Sequence, residues 1–175
     1  EEAISLLNRN FDLDIKNYVS VNFNALVKVI DALGGIDIKM TKEEAHWCNL
    51  YGAETARVIG EHWSDIEEKA GTQHLDGIHG VAYARIRYTS GNDFKRAQRQ
   101  RIVLEKVAKK AQKANFITLN KIVNEVFPMI STSFSSKQIL GFAANALNYN
   151  LVSTNGFPYR VTTSETVKNH GGVSF

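Results

Sequence analysis

The chain has 175 residues, 43% of them hydrophobic, which suffices for one domain that buries most of its apolar surface. A formal charge of +3 and a pI near 9.0 are too modest to attract nucleic acid through a whole-molecule field, so basic residues matter here only where they cluster. No stretch is long and apolar enough to span a bilayer, no signal peptide is present, and a single cysteine, Cys48, excludes an intrachain disulfide.

In chain order, Glu1 to Leu7 read as the end of a helix with Ile4 and Leu7 on one side. Tyr18, Val19, Val21 and Phe23 predict a strand, and Asn24 is placed to cap a helix from Ala25 to Leu33 that ends at Gly34-Gly35. Ile36, Ile38 and Met40 alternate with Asp37 and Lys39, the period of a half-buried strand. Thr41-Lys42-Glu43-Glu44 is a capping box that starts a helix running to Ile59, with Gly52 weakening its middle. Ala45, Trp47 or Cys48, Tyr51 and Thr55 fall on related faces of that helix. Trp47, Tyr51 and Trp63 are candidates for an apolar groove, although core packing is the commoner use of each. His46 and Cys48 are two residues apart and cannot face each other on a helix, which argues against a metal site.

His74 and His79 flank Leu75-Asp76-Gly77, where Asp76 can cap a short helix from Gly77 to Ala84; no set of carboxylates accompanies these histidines to suggest acid-base or metal chemistry. Between Arg85 and Arg101 stand six cations, Arg85, Arg87, Lys95, Arg96, Arg99 and Arg101, against one acid, Asp93. If the backbone is extended after Ala84, Arg85 and Arg87 leave on one side and Ala84, Ile86 and Tyr88 on the other. After a turn at Ser90, Gly91 and Asn92, Asp93 is a good N-cap. The helix it starts carries Arg96, Gln100, Val103 or Leu104, Val107 and Ala111 along one side. Cations in a first helical turn oppose the backbone dipole at about 0.3 to 1 kcal/mol each. An anion at that helix start, gripped by Arg85, Arg87, Arg96 and Gln100, reverses the sign, and arginine's planar fork suits phosphate oxygens. Lys95, Arg99 and Arg101 are accounted for equally well as a solvated basic face.

The basic helix continues to Ala114 with Lys106, Lys109, Lys110 and Lys113 outward. Thr118 to Ile130 predict a further helix, Ser135 or Ser136 caps another through Leu147, and Pro158 precedes a short strand, Tyr159 to Thr163. Residues 166–175 read as a loose tail. No repeat or linker divides residues 1–175.

The string LDGIHGVAYARIRYTSGNDFKRAQRQRIVL resembles the signature of the LytR-CpsA-Psr family of bacterial cell-envelope proteins: a Leu-x-Gly helix, Tyr-Ala-Arg-x-Arg, Gly-x-Asp-x-x-Arg and Arg-Gln-Arg. LDIKNYVSVNFNALVKVIDALGGIDIKM is similar to the family's preceding segment. The resemblance implies an α/β fold, a three-layer α-β-α arrangement around a central mixed β-sheet. This chain reads as the second half of the domain, without its N-terminal strands, and residues 41–70 read as a variable helical excursion. It implies an enzyme that transfers a glycopolymer, of teichoic acid or capsular polysaccharide type, from a polyprenyl-diphosphate carrier to peptidoglycan at the extracellular face of the cell membrane. Arg85, Arg87, Asp93 and Arg96 become catalytic candidates. Arg85, Arg87, Arg96, Gln100 and Arg99 become diphosphate ligands, with Asp93 orienting an arginine or capping its helix. Magnesium is the implied cofactor, its ligands mainly outside this chain, as is a membrane anchor; no transfer by the chain alone is expected. Unpaired strand edges raise the expectation of self-association. The alternative is a non-catalytic binder of anionic lipid head groups or nucleic acid, the latter calling for a broad basic surface with interleaved aromatics.

Overall fold

Helix α4 (Gly77–Arg85) is the buried centre, every residue from Gly77 to Ala84 being shielded from solvent. The computed structural model describes residues 2–89, 92–135, 137–138 and 141–142, with the backbone alone at 92, 93 and 116. Asp76, the N-cap, accepts from the backbone N–H of His79 at 2.9 Å, and the helix gives way to extended backbone at Ile86. Three helices pack around α4: α2 (Phe23–Ala32), α3 (Lys42–Ile59) and α5 (Asn92–Lys113). The core joins Ile30 of α2, Ala45 and Cys48 of α3, Ala82 and Tyr83 of α4, and Val103 of α5 with Ile86. Complete burial of Ile86 alone contributes about 1.5–3 kcal/mol.

Each helix start follows its local chemistry. Thr41 and Glu44 form the predicted capping box, with Thr41 Oγ1 accepting from Glu44 N at 3.1 Å and Glu44 Oε2 from Thr41 N at 2.9 Å. α2 begins two residues earlier than expected. Asn22, not Asn24, has the extended backbone of a cap and accepts from Ala25 N at 2.8 Å, which leaves Phe23 inside the first turn. α5 likewise begins at Asn92, so Asp93 lies within the helix rather than at its N-cap. Gly34 and Gly35, with φ of 72° and 76°, end α2 in the left-handed conformation glycine tolerates.

Strand β2 (Ile36–Met40) shows the predicted alternation, burying Ile36, Ile38 and Met40. Its partner β3 (Gly71–Leu75) is antiparallel, pairing Ile36 with Leu75 and Met40 with Gly71. Strand β1 (Val19–Val21) pairs antiparallel with β4 (Ile130–Thr132), reached through helix α6 (Phe116–Val126) and a 3-10 turn (Phe127–Met129). The α/β class is as the sequence implies; among the described residues the strands form two separate antiparallel pairs. Helix α1 (Glu2–Phe11) extends past the expected Leu7 and has no buried residue. α6 starts after Asn115, which caps Thr118 N at 2.8 Å, and stops before Pro128, so the helix expected from Thr118 to Ile130 is displaced toward its N-terminus. Ser135 and Gln138 exchange capping hydrogen bonds ahead of helical residues 137–138 and 141–142. The remainder of that helix, the strand Tyr159 to Thr163 and the tail 166–175 lie outside the described residues.

Within residues 41–70, helix α3 contributes to the core, whereas 61–70 are exposed except for the half-buried Trp63 and Ile66. Gly52 lets α3 meet Trp63, whose ring carbons lie only 2.0 Å from where a Cβ would stand. Trp63 in turn lies against the His79 ring, 4.6 Å between centroids. His79 is buried, with Nδ1 2.7 Å from Asp76 Oδ1 and Nε2 3.0 Å from the Ser64 carbonyl oxygen, tying the connection after α3 to α4. His46 bonds Glu68 at 2.8 Å and His74 bonds Asp37 across the β2–β3 pair at 2.8 Å. Among the described residues no three His, Cys, Asp or Glu side chains are grouped to hold a metal ion, and no helix is long and apolar enough to cross a membrane.

Candidate functional site

A cavity of about 880 Å³ opens between α2, α3, the end of α4 and α5. Its walls are mainly apolar. Val21, Phe23, Leu26 and Val29 contribute from the β1–α2 side, Trp47, Leu50 and Tyr51 from α3, Val81 and Ala84 from α4, and Val103, Leu104 and Val107 from α5. Trp47, Tyr51 and Tyr88 form an aromatic cluster, with Trp47 and Tyr88 centroids 5.2 Å apart and Tyr51 stacked on Tyr88 at 6.4 Å. The expected groove therefore takes Trp47 and Tyr51, while Trp63 belongs to the α3–α4 contact instead.

Three of the six cations sit on this cavity. Arg85, Arg87, Arg96 and Gln100 all line it, and the α5 residues facing it, Arg96, Gln100, Val103, Leu104 and Val107, follow the helical spacing read from the sequence. The helix of α4 runs through Arg85 and ends before Ile86, so the expected extended run from Arg85 is not formed, yet Ile86 is fully buried and both arginines line the cavity. Tyr88 departs from the expected alternation. The chain bends after Arg87 and brings Tyr88 to the cavity too.

Arg85 is held by named partners. Nη1 donates to Thr55 Oγ1 at 2.8 Å and Nη2 to Glu54 Oε2 at 3.2 Å. The Phe23 and Tyr51 rings lie 5.1 and 5.5 Å from its guanidinium carbon. Cation–π contact and hydrogen bonds together fix the orientation of a side chain that otherwise loses much rotamer freedom on engaging a ligand. Glu54 is the one carboxylate among the described cavity-lining residues. None of Glu54, Thr55 and Phe23 was expected in this role, because the signature covers only the α4–α5 side; the single sequence clue is the helical spacing that puts Thr55 near Tyr51.

Arg99, expected as a further diphosphate ligand, is placed elsewhere. It is 2% exposed, and its guanidinium donates to Glu44 Oε1 at 2.9 Å, to the Ile86 carbonyl oxygen at 3.1 Å and to Thr89 Oγ1 at 2.6 Å. The ring of Tyr83 lies 5.9 Å from its guanidinium carbon. Burial, and then the nearby Glu44 carboxylate, push the Tyr83 hydroxyl up to about 12, so this cluster stays a neutral phenol beside a paired arginine and carboxylate. Arg99 therefore acts from behind the cavity wall, holding the Ile86 peptide between Arg85 and Arg87. Of the other two cations, Lys95 is exposed and Arg101 is half-buried; neither lines the cavity. The side chain of Asp93 lies outside the described residues.

Comparison with known proteins extends this picture. The profile of the LytR_cpsA_psr family matches residues 1–172. Biofilm regulatory protein A of Streptococcus mutans is 32% identical over 111 residues, 62% of this chain and 25% of that protein. The polyisoprenyl-teichoic acid–peptidoglycan teichoic acid transferase TagU of Enterococcus faecalis is 26% identical over 141 residues, 80% of this chain and 39% of that protein. Among solved structures, a transcriptional regulator from Enterococcus faecalis superposes with a TM-score of 0.60 at 25% identity, over 83% of this chain and 48% of its own. The chain thus spans a quarter to about two-fifths of these curated relatives and about half of the solved structure.

Proposed function

The chain belongs to the LytR_cpsA_psr family, and we propose that it supplies the arginine-lined cavity of a glycopolymer transferase, holding the diphosphate of a polyisoprenyl-linked glycan for transfer to peptidoglycan. One observation carries this reading: Arg85, Arg87, Arg96 and Gln100 meet on the rim of a cavity whose walls are apolar and aromatic. That pairing suits a molecule with a compact anionic head on a long hydrocarbon tail. A nucleic acid would call instead for an extended basic face with stacking residues along it. The name of the Enterococcus faecalis relative, a teichoic acid transferase acting from a polyisoprenyl carrier, supports the same substrate class.

The chemistry is phosphoryl transfer. A peptidoglycan hydroxyl attacks the phosphorus that bears the glycan, and the bond from that phosphorus to the oxygen bridging to the lipid phosphate breaks. The lipid monophosphate leaves, and the hydroxyl proton passes to solvent or to the leaving phosphate. Little covalent chemistry is asked of the protein; placing the diphosphate and neutralising charge on its oxygens provide the acceleration. Arg85, already oriented, and Arg87 and Arg96 would bind those oxygens, with Gln100 as a neutral donor. Such a substrate places the reaction at the outer face of the cell membrane. The described residues do not by themselves fit a magnesium ion, Glu54 being the lone cavity carboxylate and engaged by Arg85.

The test is binding of a polyprenyl-diphosphate-linked saccharide in detergent, measured by fluorescence for the wild-type chain, R85A and R96A. Each substitution is expected to weaken binding about tenfold or more, the worth of a hydrogen bond to a charged group. Equal binding by all three proteins would refute the assignment.

A further inference from the structure

Thr55 stands next to Glu54 on α3 and one helical turn beyond Tyr51, and its side chain is sealed from solvent. Its hydroxyl donates to the Tyr51 carbonyl oxygen at 2.7 Å. With its proton committed there, the oxygen presents lone pairs, and Arg85 Nη1 donates to it at 2.8 Å. A β-branched residue in a helix interior is a modest choice for helix stability, and a hydroxyl bonded back to the preceding turn adds little. What this hydroxyl does is fix the rotation of a guanidinium that already lies over the rings of Phe23 and Tyr51. Nη1 and Nη2 of Arg85 give one N–H each, to Thr55 and Glu54 respectively, fewer than the five the guanidinium carries.

We propose that Thr55 is a positioning residue for the diphosphate: it never touches substrate, and it sets the guanidinium of Arg85 in the orientation that receives the phosphate oxygens. The proposal rests on the cavity being the diphosphate site. It assigns a binding role to α3, a helix outside the Tyr-Ala-Arg-x-Arg signature. Without the Thr55 acceptor, Arg85 retains the Glu54 contact and swings toward that carboxylate, so the ligand must both recover the arginine and hold it.

Two substitutions separate positioning from packing. Thr55→Val keeps the shape and removes the acceptor; Thr55→Ser keeps the acceptor and removes a methyl. The probe is farnesyl diphosphate, titrated by calorimetry against the 175-residue chain, with farnesol as the uncharged control. T55V is expected to bind farnesyl diphosphate about tenfold more weakly and farnesol unchanged, while T55S binds like wild type. In an R85A background T55V should have no further effect, since its influence passes through the arginine. Wild-type affinity in T55V, or an equal loss for farnesol, overturns the positioning role while leaving the site intact if R85A alone weakens farnesyl diphosphate. An additive loss in the double variant overturns it as well. No binding of farnesyl diphosphate by the wild-type chain overturns the site and this role together.

Discussion

Replacing Arg99 by leucine tests whether this signature arginine supports the fold from behind the cavity. Arg99 and Glu44 have side-chain exposures of 3% and 17%, so neither charge is solvated as it would be at the surface. Removing one member of such a pair strands the other, at about 3–5 kcal/mol when both are fully buried. Glu44 keeps some water contact and still accepts from Thr41 N, which points to the low end, about 3 kcal/mol. The carbonyl of Ile86 and the hydroxyl of Thr89 also lose their donor. A domain of this size shifts its melting temperature by about 2–4 °C per kcal/mol, so R99L should melt roughly 6–12 °C lower and lose about 3 kcal/mol in urea titration. The double variant E44Q/R99L, with no stranded charge and the cap retained, should recover more than about 1 kcal/mol of that loss. A loss below about 1 kcal/mol in R99L, or strict additivity in the double variant, would refute the account of Arg99 as a buried structural cation.

Two further outcomes follow from individual environments. Burial pushes the Cys48 thiol up to about 12, aided by the Asp76 charge, and Sγ bonds the His79 carbonyl oxygen at 3.3 Å; a disulfide-exchange reagent at pH 8 should leave it unmodified in the folded chain and label it at once in urea. At Asp76, burial alone would raise the carboxyl, but hydrogen bonds from the His79 ring and backbone outweigh it and hold the group below its usual range. A carboxyl depressed on folding stabilises above its unfolded value of about 3.9 and loses that contribution as pH falls through the lower folded value. D76N, which still caps α4, should therefore be less stable than wild type at pH 7, with the gap narrowing below about pH 4 in urea titrations.

Much of the scaffold was legible because its signals are local. The capping box at Thr41, the alternation of Ile36, Ile38 and Met40, and the cap at Asp76 each depend on a few neighbouring residues and fold as those residues dictate. The reading failed where the deciding partner is distant. Gly71 to Leu75 lacks the β-branched run of a strand and becomes one by pairing with β2 more than thirty residues earlier. Ile130, read from the sequence as the last residue of a helix, instead opens β4 by pairing with β1, over a hundred residues away in sequence. Asn22 and Asn24 are equally good caps by residue type, and only backbone geometry separates them.

The same distinction runs through the cavity. Arg96, Gln100, Val103 and Val107 could be placed together because a helix repeats every 3.6 residues, and Arg85 with Arg87 because one buried residue, Ile86, separates them. Helical spacing separates Arg99 from Arg96, three positions earlier, but left Arg99 as either an anion ligand or part of a solvated face, and it is neither: it is 2% exposed and paired inside. Its partner is Glu44, fifty-five residues upstream, which draws Arg99 into the core. Helix α3 thus places two of the arginines, drawing Arg99 inward through Glu44 at its N-terminal turn and holding Arg85 at the cavity through Thr55 near its far end. A chain that kept the signature but lost these two partners would keep its cations and lose part of their arrangement, so that arrangement depends on the packing of α3 against α4 and α5 as much as on the arginines themselves.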